Sequence, residues 1–186
     1  AAFADGTVTE ASDVALTVNS GTATLAEARS LDGLTTGVVT ATIADTRVSD
    51  LLGSTPLLDA NSNNAFTITI GTADAEITAA NLTSLNGLTT VAIDATNVTQ
   101  ITGTVAAANT VYTAGDNSEI SGLGNEAVVI SGESSNTLSD ASTLNTLDGN
   151  TTGTVNAGSL TTIQGALSDL LTAYASNGIT GLGNEA

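Results

Sequence analysis

The sequence predicts an α/β repeat solenoid, with short parallel strands and short helices and about 30 residues per coil. Three observations predict it. First, the chain rewrites itself: SLDGLTT (30–36) returns as SLNGLTT (84–90) and TLDGNTT (146–152), and ISGLGNEA (120–127) returns as ITGLGNEA (179–186). Second, β-branched runs alternate with windows that carry helix-capping residues. Third, a chain that is 41% apolar has only four aromatic residues, so its core must be thin layers of Val, Ile, Leu and Ala. Stacked units draw stability from many such small burials. An all-β solenoid, in which the short helices are turns, is the alternative that the many threonines leave open.

Residues 1–18 read as an incomplete or capping unit, with Val14, Leu16 and Val18 alternating as in a strand. Thr24 and Glu27 have capping-box spacing and predict a helix over 24–31 that ends at Asp32–Gly33. Residues 38–43 (VVTATI) read as a strand, and Val48, Leu51 and Leu52 as the next apolar face, broken by Gly53 and Pro56. Phe66, Ile68 and Ile70 alternate along the strand 65–70. Asp74 is the expected N-cap of a helix over 75–85, closed by Asn86–Gly87. A strand at 91–95, the apolar Val98 and Ile101, and a helix from Thr104 bearing Val105, Ala108 and Tyr112 follow, then a loop over 114–119. Val128–Ile130 reads as a strand. A helix capped by Thr137 or Ser139 should carry Leu138, Ala141, Leu144 and Leu147, and 148–150 should turn the chain. Strands are expected around Val155 and around Leu160 and Ile163. Leu167, Leu170, Leu171 and Tyr174 then make the stripe of an amphipathic helix.

The offsets are 54 residues from Leu31 to Leu85, 62 from Leu85 to Leu147 and 59 from Ile120 to Ile179. They divide a single segment into units 1–58, 59–119 and 120–178, with 179–186 opening the next. Because that last unit breaks off, the chain is expected to be part of something longer.

Two basic residues, Arg29 and Arg47, stand against 19 acids, and the net charge is −17. That balance disfavours nucleic acid, whose phosphates need Lys and Arg, and anionic membrane surfaces. No run is long and apolar enough for insertion in a membrane. Without His, Cys or Lys, the usual bases and activated nucleophiles are missing, and no catalytic residue is expected.

Candidate metal ligands are Asp32 and Asp148 before their glycines, and Glu126 and Glu185 in the two LGNEA segments. Ca²⁺ favours such oxygens but wants six to eight, and two or three are evident per turn. Neither GGxGxD nor DxDxDG occurs. The plainer reading is structural: Gly33, Gly87, Gly149, Gly122 and Gly181 serve turns. Calcium therefore remains an open cofactor, and none is required. The TxT pairs at Thr40/Thr42 and Thr67/Thr69 resemble the ladders of ice-binding solenoids, though they do not recur in every unit.

The segments LDGLTTGVVTA (31–41), LDGNTTGTVNA (147–157) and GITGLGNEA (178–186) resemble the Ala/Thr/Gly/Asp-rich tandem repeats of very large secreted and cell-surface proteins of marine cyanobacteria and related bacteria. Some of those resemble haemolysin-type calcium-binding proteins or adhesins. The resemblance implies a non-enzymatic extracellular structural segment: a spacer, surface layer or filament subunit. Its expected partners are further copies or neighbouring repeats. An adhesin-type module that holds a glycan, ice or another surface is the alternative.

Overall fold

The computed structural model describes residues 13–53 and 63–183, and the statements below concern those. It is an α/β structure in which all paired strands run parallel. The helices are α1 (Leu25–Asp32), α2 (Val48–Leu51), α3 (Ala79–Asn86), α4 (Val105–Asp116), α5 (Ala141–Asn150) and α6 (Leu167–Ala175). Twelve strands of two to four residues precede, separate and follow them: β1 (Leu16–Thr17), β2 (Val39–Thr42), β3 (Ala65–Thr67), β4 (Glu76–Thr78), β5 (Ile93–Asp94), β6 (Gln100–Gly103), β7 (Ile120–Ser121), β8 (Ala127–Ile130), β9 (Thr137–Leu138), β10 (Val155–Asn156), β11 (Thr162–Ile163) and β12 (Ile179–Thr180). Helices of this length and number exclude the all-β alternative.

Parallel neighbours need a crossover of a dozen or more residues, and the helices supply it. The largest sheet has the order β12-β10-β8-β6-β4. Ile77, Ile101, Val128, Val155 and Ile179 are register partners along it, and all five are buried. The remaining sheets are β1-β2-β3, β5-β7 and β9-β11. Phe66, Ile68 and Ile70 are fully buried, as their alternation predicted.

The segments between successive helices differ in the number of strands they hold. Between α3 and α4, residues 87–104 hold two strands, and between α5 and α6, residues 151–166 hold two. Between α4 and α5, residues 117–140 hold three. There β7 pairs back to β5, β8 pairs to both β6 and β10, and β9 pairs forward to β11.

Leu31, Leu85 and Leu147 are each the seventh residue of their helices, α1, α3 and α5. Leu85 and Leu147 are fully buried, and Leu31 packs half-buried against the same core. The α1 capping box forms as predicted, with Thr24 Oγ1 accepting from the Glu27 amide and the Glu27 carboxylate accepting from the Thr24 amide. Thr104 caps α4.

Several local expectations fail. Asp74 sits in a 3-10 turn (Thr72–Asp74), and β4 intervenes before α3, which Thr78 caps instead. Asp140, rather than Thr137 or Ser139, caps α5, and Leu138 lies in β9. Residues 148–150 complete α5 and make no turn, because Leu144 and Leu147 keep that helix on the core to its end. Residues 114–116 extend α4 into the expected loop, where Ala114 still packs against the core.

Leu147→Ala should cost about 2–5 kcal/mol through the cavity it leaves. The exposed Leu171→Ala should stay within about 0.5 kcal/mol. Urea unfolding of the two variants checks this, and equal losses would contradict the burial pattern.

Candidate functional site

The polar residues join one strand–helix unit to the next, and they do so repeatedly. Asp45 accepts the amide of Leu25, the first residue of α1, at 3.0 Å. Asp74 does the same for Val48 at the start of α2, at 3.1 Å, and Glu133 for Val105 at the start of α4, at 2.7 Å. Each carboxylate lies in the unit after the helix it serves, 20, 26 and 28 residues on. A helix start leaves amides unpaired and carries partial positive charge. An acid from the neighbouring unit answers both.

Helix ends are tied in the same way. Asn64 Nδ2 donates to Asp32 at 2.6 Å, Asn86 Nδ2 donates to Glu119 at 2.8 Å, and Ser176 Oγ donates to Asp148 at 2.7 Å. The Asp/Asn before each glycine thus reaches the following unit.

The first threonine of each Thr-Thr pair is a third such tie. Thr35, Thr89 and Thr151 donate their hydroxyls to the carbonyls of Val14, Phe66 and Glu126, at 2.6, 2.7 and 2.7 Å. Each hydroxyl also accepts the amide two residues on, from Gly37, Val91 and Gly153.

Glu126 is fully buried. Its Oε2 accepts from the Tyr112 hydroxyl at 3.1 Å and from the Gly124 amide at 2.9 Å, while its buried Oε1 has no partner. Burial pushes the Tyr112 phenol well above its ordinary value, and Glu126 adds to this against the opposing bond with Thr151. The Tyr112 hydroxyl thus keeps its proton and donates it to Glu126.

These contacts locate the candidate metal residues. Asp32 and Asp148 are held by side chains of the next unit, and Glu126 lies under Tyr112. Glu185 falls outside the described residues. Among the described residues no three His, Cys, Asp or Glu side chains gather where they could hold a metal ion. No helix of the described residues is long and apolar enough to cross a membrane.

The glycines divide into two kinds. Gly122 and Gly181 have φ of +84° and +80°, and a Cβ on either would strike the backbone of Thr96 or Gly158 in the preceding unit, at 2.7 and 2.6 Å. They are required both by conformation and by close approach. Gly33 and Gly87 cap their helices in the right-handed region, at φ −66° and −70°, so the left-handed cap expected at Gly33 is not used. Gly149 is inside α5. The two TxT pairs share one rung, since Thr42 faces Thr67 but Thr40 faces Ala65.

Sequence reasoning missed Asp45, Asp74, Glu119 and Glu133 as ties, because their partners lie a whole unit away. For Asp45, Asp74 and Glu133 the one visible signal is an acid two to four residues after a buried Ile, at Ile43, Ile70 and Ile130; Glu119 lacks it.

No protein-family model, curated protein or solved structure matches the chain.

Hydrogen bonds hold several carboxyls below their usual range: Thr24 backbone and hydroxyl for Glu27, Thr96 hydroxyl and amide for Asp94, and Ser142 hydroxyl and amide for Asp140. A depressed carboxyl stabilises the fold above its unfolded pKa and loses that contribution as pH falls through the folded value. Thr96→Ala removes the 2.5 Å hydroxyl bond to Asp94. It should cost about 0.5 kcal/mol at pH 7 after solvent screening, and progressively less as pH falls through the lowered range of the folded Asp94 carboxyl. Urea midpoints of the two proteins across that range give the difference, and a pH-independent gap would refute the assignment.

Proposed function

We propose that the chain winds as an α/β solenoid and serves as a structural segment of an extracellular bacterial surface protein, a spacer or layer element without catalytic activity. The observation that carries this reading is the recurrence of the same tie at equivalent positions. Gly122 and Gly181 repeat one φ value and one close approach 59 residues apart. Thr89 and Thr151 repeat one hydrogen-bond pair 62 residues apart. Asn97 and Ser159, also 62 apart, both donate back to an isoleucine carbonyl, of Ile70 and Ile130.

Such contacts link each coil only to its neighbours, so length can change without redesign of the whole. A spacer needs that property, whereas a site built for chemistry needs one irreplaceable constellation. The acid-rich surface fits a crowded exterior, where like charge keeps particles apart. The chain's resemblance to tandem surface repeats supports the location.

Excising residues 95–156 tests the reading. The splice joins Asp94 to Ala157, and Asp94 and Asn156 both follow a buried residue at the end of a short parallel strand. The shortened chain should fold, unfold cooperatively and retain the circular dichroism of a mixed α/β protein. Duplicating 95–156 should lengthen the particle by two coils, about 10 Å at one strand spacing per coil, in small-angle scattering. Collapse of both variants into unfolded or aggregated chains would reject the solenoid.

A further inference from the structure

The tie made by the Thr-Thr pairs has a further copy with different chemistry. Thr35, Thr89 and Thr151 each accept the amide two residues on and donate their hydroxyl to a backbone carbonyl. Ser176 takes the same place, and its Oγ accepts the Gly178 amide at 2.9 Å. Its own proton, however, goes to a carboxylate, Asp148 Oδ2, at 2.7 Å. The residue that the tie spans changes as well. It is a threonine in the other copies (Thr36, Thr90 and Thr152) and Asn177 here.

Both changes fall on one dipeptide. In Asn-Gly the glycine nitrogen can attack the asparagine side-chain carbonyl, and glycine, lacking a Cβ, leaves that approach open. The step needs a base for the N–H proton. A backbone carbonyl is too weak to serve, whereas a carboxylate acting through a hydroxyl is a general base with a relay. Asp148 lies directly against Gly178, where a Cβ would strike its Oδ1. Asn177 is exposed, so its side chain has room to turn toward the Gly178 nitrogen.

The chain's other Asn-Gly pair, Asn86-Gly87, lacks this arrangement. The Gly87 amide donates to the Thr83 carbonyl at 3.2 Å, as α3 ends. Asn86 Nδ2 is held by Glu119 at 2.8 Å. Both reacting groups are fixed on other partners.

We propose that Asn177-Gly178 is a self-modification site, at which the fold itself promotes loss of the Asn177 side-chain amide. The Gly178 nitrogen bonds to Asn177 Cγ as its proton passes to Ser176 Oγ and the Ser176 proton passes to Asp148. The Cγ–Nδ2 bond breaks, the leaving nitrogen takes the proton from Asp148 and departs as ammonia, and a succinimide ring remains. Water opens the ring at either carbonyl, which leaves aspartate or isoaspartate at 177. Ser176 touches the reacting nitrogen, and Asp148 acts through it. The change is a single turnover within the chain and needs no activity toward other molecules. Isoaspartate adds a carbon to the backbone just before Ile179, so it disturbs the pairing of Ile179 with Val155.

Incubating the full chain at neutral pH, with and without unfolding urea, tests this by peptide mass mapping and ammonia release. Asn177 should convert about tenfold or more faster folded than in urea, and Asn86 slower folded than in urea. Ser176→Ala should abolish the folded-state gain at Asn177, each variant being compared with itself in urea, while Ser176→Thr should keep it. Asp148→Ala should also lose the gain. Circular dichroism reports whether each variant folds, and where Asp148→Ala does not, the two Ser176 variants decide. Folded wild type that converts Asn177 no faster than the unfolded chain overturns the proposal. So does a folded Ser176→Ala that retains the wild-type ratio, because the hydroxyl would then carry no proton.

Discussion

A strand of two residues cannot hold itself together. It offers too few backbone bonds to offset the cost of fixing its own dihedrals, which is about 1–2 kcal/mol per residue. Seven of the twelve strands here have that length. Their order comes from the parallel partners on either side and from the side chains they bury, so each unit is specified by its neighbours. The buried line of Ile77, Ile101, Val128, Val155 and Ile179 is the physical form of this dependence. With so few aromatic side chains, no single residue can substitute for it.

The same constraint gives the acids their role. A chain of charge −17 would repel itself on compaction. Asp45, Asp74 and Glu133 instead place negative charge at the positive starts of α1, α2 and α4. Each makes a bond that only the next unit can supply. Asp32 and Asp148, which the sequence offers as calcium ligands, each give one oxygen to an equivalent tie at a helix end. The spacing of these acids thus follows the spacing of helix termini.

What the sequence made legible was local. The α1 capping box was readable because Thr24 and Glu27 are three residues apart, and the β3 run because Phe66, Ile68 and Ile70 alternate. Asp74 was misread as a cap for the helix after it, since the amide it accepts lies 26 residues before it. The same limit hid Glu126, whose partners Tyr112 and Thr151 come from different units. Gly122 and Gly181 were named alongside Gly33 and Gly87 as turn glycines, and the positive φ and the approach to Thr96 and Gly158 that set them apart could not be read from the sequence. The α6 stripe was correctly periodic, and its direction could not be read, because burial of Leu167 and Tyr174 depends on what stands beyond them.

If neighbours confer order, stability should fall from strands paired on both sides to strands at the sheet edges. Native-state amide hydrogen exchange measures this residue by residue. The account predicts that Ile101 and Val128, paired on both sides, exchange slowest, and that Leu16 at one edge and Ile179 at the other exchange faster, in a graded series. Equal protection at all four amides, reporting one global opening, would contradict it.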